Sequence, residues 1–183
     1  SMLFSDYPIS KEIKAQLEVL GFKRPTDIQF KAISPILNGE DVFGIAQTGT
    51  GKTAAFAIPI IHKLSTSKAR SKSPRCIVMA PTRELAEQIK QAFESIAKGS
   101  NIRITAILGG LEQDKQIQEL KRGTDIVVAT PGRVFDLRSQ GYLSLDDIRF
   151  LVLDEADRML ELGFAHDMKA IHKLSPQRNR QTL

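Results

Sequence analysis

Apolar residues recur along this chain with two periods, and their alternation predicts the fold. In "SKEIKAQLEVLG", Ile13, Leu17 and Leu20 share one helical face, Ser10 stands where a cap is needed and Gly21 where the helix should end. A second short helix is expected from Thr26 towards Leu37, strained by Pro35 and stopped by "NGED". Five apolar runs then read as strands: "VFGIA", "CIVMA", "IRITAIL", "DIVVAT" and "FLVLD". Helix-period stretches such as "TRELAEQIKQAFESIAKG" and "LEQDKQIQELKRG" lie between them. Strand followed by helix, repeated, with strands apolar on both sides, predicts an α/β fold: a parallel β-sheet with helices on both faces. No internal repeat and no long linker interrupts the pattern.

That fold class directs attention to particular residues. Right-handed crossovers bring every strand's carboxyl end to one edge, where open α/β sheets bind ligands. The runs are followed there by "QTGTGKT", "PTRE", "GG", "TPGR" and "DEAD". Each of these junctions offers groups suited to phosphate, metal or proton chemistry.

The first junction, within "GIAQTGTGKTAAF", approaches the phosphate-loop rule G-x-x-x-x-G-K-[ST] but has Ala46 where the rule has glycine. Gly49 and Gly51 allow the backbone to close around phosphates, Lys52 supplies a cation, and Thr53 offers a hydroxyl to Mg²⁺ at a helix start. Alanine suffices at 46 if that φ is negative; taken alone, an incidental Gly/Thr turn remains the competing reading. The fifth junction weighs against it. An apolar strand ending in Asp154 can hold Mg²⁺, usually through water, and Glu155 can orient or deprotonate an attacking water. The pair could also cap a helix, yet beside a Lys-Thr loop on the same edge the catalytic reading prevails.

Composition narrows the setting. With 183 residues, 42% hydrophobic and 26% charged, the chain can bury one substantial core in one compact domain. No stretch approaches the roughly 20 apolar residues of a membrane span, and the N-terminus lacks the pattern of a signal peptide. The leading Ser-Met resembles a remnant of expression. Cys76, the single cysteine, lies in an apolar run and reads as a small core residue; His62, His166 and His172 lack metal spacing and read as surface or helix residues. A net charge of +5 and a pI near 9.4 favour a polyanionic partner. The basic clusters, Lys68, Arg70, Lys72 and Arg75, then Lys169, Lys173, Arg178 and Arg180, read as a solvated loop and a solvated helix end.

On these motifs the chain resembles the N-terminal RecA-like half of a DEAD-box RNA helicase, from Phe4 to the last residue. "GFKRPTDIQ" is similar to the family's Q motif, "AQTGTGKT" to its motif I with that same alanine, "PTRELAEQI" to motif Ia and "VLDEAD" to motif II, while Gly109-Gly110 and "TPGR" match its remaining RNA-facing motifs. The resemblance implies ATP and Mg²⁺ as cofactors. It implies a Q-motif segment over 3–31 and a RecA-like ATP-binding domain over 32–183.

Nucleotide contacts are then expected from Phe22, Gln29, Ala46, Gln47, Thr48, Gly49, Thr50, Gly51, Lys52 and Thr53. The Gln29 amide would pair with the adenine edge, donating and accepting at once. Phe22 would contact the base with Phe4 packed behind it, and Thr26 would tie the segment to the phosphate loop. Lys52, Asp154 and Glu155 are the expected catalytic residues, with Thr53 and Asp154 on Mg²⁺.

RNA is the expected partner, held through its sugar-phosphate backbone by Pro81, Thr82, Arg83, Gly109, Gly110, Thr130, Pro131, Gly132 and Arg133. Helix capping is the alternative reading of Thr82 with Glu84 and of Thr130 with Pro131. RNA rather than DNA comes from the resemblance alone. The chain stops at "RNRQTL", short of the family's Ser-Ala-Thr motif, so the expectation is a monomeric fragment of little activity whose partner is a missing C-terminal RecA-like domain. A cytoplasmic setting is expected, or a nuclear one in a eukaryote. Two other classes stay open, another P-loop motor acting on DNA and a nonenzymatic RNA-binding scaffold; "DEAD" with Gln29 argues against the first, and Lys52, Asp154 and Glu155 against the second.

Overall fold

The computed structural model describes residues 2–39, 50–67, 72–174 and 181–182. Ser1–Lys68 with Gln91–Ile102 form one compact unit, and Ala69–Lys90 with Arg103–Thr182 form the other.

The first unit opens with a 3-10 turn at Phe4–Asp6 and continues through α1 (Lys11–Val19), α2 (Asp27–Leu37) and α3 (Thr50–Thr66). Ser10 caps α1 as expected, its hydroxyl accepting from the Ile13 N–H at 3.3 Å. Gly21 adopts φ +83, a left-handed conformation that glycine enters without Cβ strain, and the chain reverses there. Ile13 and Leu17 are buried, but Leu20 is 38% exposed because the helix has ended before it. Thr26 and Gln29 close a capping box at the start of α2: the Gln29 N–H donates to Thr26 Oγ1 at 3.4 Å, and the Thr26 N–H to Gln29 Oε1 at 2.9 Å. Pro35 lies in the last turn of α2, and the helix runs on to Leu37.

Helix α3 is apolar nearly all round, and Ala54–Ile58, Ile60, Ile61 and Leu64 are buried, the pattern of a helix inside a core. Its His62 is half-buried and accepts at Nδ1 from the Ser10 N–H at 3.0 Å, which ties α3 to the start of α1. Burial and the neighbouring Lys63 hold that imidazole below its ordinary pKa.

The second unit carries the sheet. Strands β1 (Cys76–Met79), β2 (Ile104–Ile107), β3 (Ile126–Ala129), β4 (Phe150–Leu153) and β5 (Gln181–Thr182) pair in the order β2-β3-β1-β4-β5, and every pairing is parallel. Every residue of β1 and β3 is buried, as strands covered on both faces require, whereas the edge strand β2 alternates. Ile77, Met79, Val127, Ala129 and Leu151 pack with Val134 and Leu137 of α6 (Arg133–Ser139), Met159 of α7 (Ala156–Glu161) and Ile171 of α8 (Ala165–Leu174). Helices α4 (Arg83–Ala97) and α5 (Asp114–Arg122) follow β1 and β2. Cys76 is a core residue, and burial pushes its thiol pKa up.

One expectation needs correction, one strand is added to those expected, and several residues fall outside the described ones. The run "VFGIA" lies at 42–46, beyond what the structure describes. Strand β5 adds to the expected strands from within "RNRQTL", where a two-residue polar strand carries no apolar period. Arg75, expected in a solvated loop, is 4% exposed and donates from Nη2 to Asp125 Oδ1 at 3.0 Å. Arg103 reaches the same fully buried carboxylate through its backbone N–H at 2.8 Å, Nε at 3.1 Å and Nη2 at 3.1 Å. Burial alone would raise the Asp125 pKa, but the hydrogen bonds from Arg103 and Arg75 outweigh it and hold the carboxyl below its usual range. Lys68 and Arg70 of the same cluster, like Arg178 and Arg180, lie outside the described residues.

Candidate functional site

In the first unit the chemistry gathers around Gln29. It is 1% exposed, which excludes a solvent-facing helix residue. Its Oε1 accepts from the Thr26 N–H, while Nε2 donates to the Gly51 carbonyl at 3.1 Å. Gln29, rather than Thr26 alone, therefore joins this segment to the first turn of α3. The approach is one of ordinary contact: a Cβ added at Gly51 would stand 3.7 Å from Gln29 Nε2 and 3.9 Å from Thr26 Oγ1. One lone pair of Oε1 and one hydrogen of Nε2 remain beyond these two bonds, so the amide keeps the capacity to donate and accept.

Phe22 is half-buried and meets Phe4 edge to face, with ring centroids 6.0 Å apart and planes at 76°. Phe4 is buried, and its N–H donates to the Lys23 carbonyl at 3.0 Å. A cavity of about 580 Å³ opens beside the pair, lined by Phe4, Leu17, Phe22, Lys14 and Lys23 among others. Lys52 and Thr53 are half-buried in the first turn of α3. Ala46, Gln47, Thr48 and Gly49 lie outside the described residues, as does the side chain of Thr50.

In the second unit the parallel register sets the geometry. Met79, Ala129 and Leu153 are level with one another, and Ile107 is level with Ala129. The strands thus end together, and their outgoing junctions lie along one edge in sheet order: Gly109-Gly110 after β2, Thr130–Arg133 after β3, Pro81–Arg83 after β1 and Asp154-Glu155 after β4.

Three of these junctions interlock. Thr130 Oγ1 accepts from the Gly109 N–H at 3.0 Å. Gly110 has φ +78, a conformation that favours glycine, and a Cβ there would stand 3.4 Å from Arg83 Nη1, so the guanidinium lies against this glycine. Arg133 donates from Nη2 to the Leu111 carbonyl at 2.9 Å and from Nη1 to Gln116 Oε1 at 3.3 Å. Thr82 caps α4, accepting from the Leu85 N–H at 3.2 Å. Thr130 does not cap α6, which starts after Gly132 at φ +95, so the capping alternative fails at that junction and holds at Thr82.

At the fourth junction Asp154 is 6% exposed, and its N–H donates to the Met79 carbonyl at 2.9 Å. Glu155 stands just before α7, at its N-cap, with φ 53 and ψ 52; among the described residues it is the non-glycine residue with positive φ. A side chain held in this region stores roughly 1 to 3 kcal/mol of strain, which structures retain mostly at working sites. Its carboxylate lies 3.8 Å from Arg158 Nη1. Chemically, this edge carries the guanidinium groups of Arg83 and Arg133, suited to anions, and a pair of carboxylates for a cation or a proton at the fourth junction. Gln116, buried in α5, gives no signal in the sequence, where it looks like one more polar residue in "LEQDKQIQELKRG".

Known proteins resemble this chain in sequence and in fold. The chain is 44% identical over 180 residues to the ATP-dependent RNA helicase DBP3 of Lodderomyces elongisporus, covering 98% of this chain and 33% of that protein. It is 44% identical to the ATP-dependent RNA helicase DeaD of Haemophilus influenzae, with 98% and 29% covered, and 43% identical to the DEAD-box ATP-dependent RNA helicase CshA of Streptococcus pneumoniae, with 100% and 34% covered. The chain thus spans about a third of the length of these relatives. A crystal structure of a hypothetical ATP-dependent RNA helicase from Sulfolobus tokodaii superposes with a TM-score of 0.84 at 37% identity, covering 95% of this chain and 49% of that one. The sequence model of the DEAD/DEAH box helicase family matches residues 26–183, and the chain belongs to that family.

Proposed function

We propose that this chain is the ATP-binding half of an ATP-dependent RNA helicase, coupling ATP hydrolysis to local RNA unwinding or RNA-protein remodelling once joined to a second RecA-like domain. One observation carries the reading: three interlocked anion-ready junctions and one pair of carboxylates share a single sheet edge. The names of the relatives, all ATP-dependent RNA helicases, support it.

In this reading Gln29 reads the adenine edge, and its bond to Gly51 makes the base-reading segment and the start of α3 move as one. Phe22 supplies the apolar contact, and the loop Ala46–Thr53 with Lys52 holds the phosphates. A single carboxylate such as Asp154 suits Mg²⁺, since this ion prefers few carboxylates supplemented by water and phosphate oxygens. Thr53 and, through water, Asp154 would hold it, and it neutralises charge on the β and γ phosphates when bound. Glu155 is the base or orienter for the attacking water. The RNA backbone lies along Pro81–Arg83, Gly109-Gly110 and Thr130–Arg133, contacts that position a strand without reading its bases. The setting is intracellular, the cytoplasm first.

Titrating ATP and GTP against the chain and its Gln29→Ala and Lys52→Ala variants tests the nucleotide half. Gln29→Ala should erode the preference for ATP and leave phosphate-dominated affinity in place. Lys52→Ala should weaken both nucleotides while RNA binding persists. An unchanged ATP:GTP ratio in Gln29→Ala would remove the adenine-reading role.

A further inference from the structure

We propose that Gln116 is a positioning residue for the RNA contact, fixing the loop after β2 and the guanidinium of Arg133 in one arrangement; this rests on the RNA-facing reading of that edge. Gln116 lies in the first turn of α5 and is 7% exposed, while Lys115 and Gln118 beside it face solvent. A buried amide is costly unless both its ends find partners. Gln116 meets that demand with groups from two different junctions: Nε2 donates to the Leu108 carbonyl at 3.2 Å, and Oε1 accepts from Arg133 Nη1 at 3.3 Å. A carbonyl only accepts and a guanidinium only donates, so a single amide orientation serves both.

The loop Leu108–Leu111 is consequently held along its length. Gln116 takes the Leu108 carbonyl, Thr130 takes the Gly109 N–H at 3.0 Å, and Arg133 takes the Leu111 carbonyl at 2.9 Å. Gln116 alone among these touches both the loop and Arg133. Arg133, half-buried, meets two fixed acceptors, so its long side chain is ordered in advance, and its remaining N–H groups are available to a phosphate oxygen. Ordering a flexible arginine before the ligand arrives removes that cost from binding.

The test is the anisotropy of a fluorescein-labelled single-stranded oligouridylate titrated with the 183-residue chain over a series of salt concentrations. Gln116→Met removes both hydrogen bonds. It should weaken binding about tenfold, the effect of one charged hydrogen bond. The slope of log affinity against log salt should fall in magnitude by about 0.7, one phosphate contact on a single strand. Affinity for ADP should not move. Gln116→Asn keeps an amide one methylene too short to span both partners, and the same losses are expected of it should the Met variant fail to fold.

Arg83→Ala, at the neighbouring junction, reports on the RNA reading independently. If it weakens binding while both Gln116 variants keep wild-type affinity and slope, the role of Gln116 is overturned and the RNA-facing edge stands. A lowered melting temperature with unmoved affinity and slope marks a merely structural glutamine and likewise overturns it. An absence of salt-dependent RNA binding by the wild-type chain overturns the RNA-facing reading and this inference with it.

Discussion

Asp125→Ala should be the most damaging single substitution away from the sheet's working edge. Asp125 precedes β3, is fully buried, and its hydrogen bonds include those from Arg75 Nη2 and Arg103 Nη2 on Oδ1 and from Arg103 N and Nε on Oδ2. Arg75 and Arg103 precede β1 and β2, so one carboxylate joins the starts of three adjacent strands. The substitution leaves the Arg75 guanidinium, 5% exposed, buried after its carboxylate has gone. Removing one partner of a buried ion pair costs about 3 to 5 kcal/mol. Arg103, a third exposed, is partly screened and adds less, so the lower half of that range applies, about 3 to 4 kcal/mol. For a chain of this size each kcal/mol moves Tm by roughly 2 to 4 °C, so melting followed by circular dichroism should fall by about 10 °C.

The pH dependence supplies an internal control. Because the folded pKa of Asp125 lies below its unfolded value, the stability it contributes is fully present above the ordinary carboxylate pKa, about 3.9, and is lost as pH falls through the folded one. The gap between wild type and Asp125→Ala should therefore narrow only in strong acid. A loss below about 1 kcal/mol, the range of an exposed ion pair, would refute the reasoning.

Among the described residues the buried Tyr7 hydroxyl has no hydrogen-bond partner, so Tyr7→Phe should stabilise the chain by about 1 kcal/mol in urea unfolding; a destabilised variant would contradict the orphaned hydroxyl. His62 must be neutral to accept from Ser10, and its folded pKa is below the ordinary value, so its contribution is complete above about pH 6.5 and disappears as pH falls through the folded pKa. His62→Gln keeps an acceptor that does not titrate and should flatten this part of the stability profile; identical profiles would exclude it. At position 155, where φ is 53, glycine should be more stable than alanine by about 1 kcal/mol, although both remove the carboxylate; equal melting temperatures would show that the left-handed conformation carries no strain.

The features legible in the sequence were those that short-range physics determines. Apolar runs located β1 to β4 because buried parallel strands are apolar on both sides, and Ser10, Thr26 and Gly21 marked helix ends because capping is local chemistry. Strand parallelism then brought the four described junctions to one edge. Partners distant in sequence escaped. Arg75 looked like part of a basic loop, since the carboxylate that buries it is fifty positions away. Thr130, expected at the RNA backbone, was also open to reading as a helix cap, since the partner that excludes this, Gly109, belongs to another strand's loop. Gln29 was expected to serve a nucleotide; nothing local reveals that it also holds Gly51. Strand β5 is two polar residues long, too short to show a period in the sequence.

The most direct test of the proposed function is nucleotide hydrolysis by this chain joined to a second RecA-like half, measured with RNA, with DNA and with neither, beside its Glu155→Gln variant. RNA should stimulate hydrolysis and DNA should not. The variant should bind ATP and RNA yet turn over nothing, because an amide cannot accept the proton of the attacking water. Arginines from the second half are expected to supply charge stabilisation of the kind worth about 10³ to 10⁵ in rate in related nucleotide hydrolases, so the 183-residue chain alone should show little turnover. Equal stimulation by DNA, or wild-type turnover in Glu155→Gln, would contradict an RNA-dependent ATPase built on this edge.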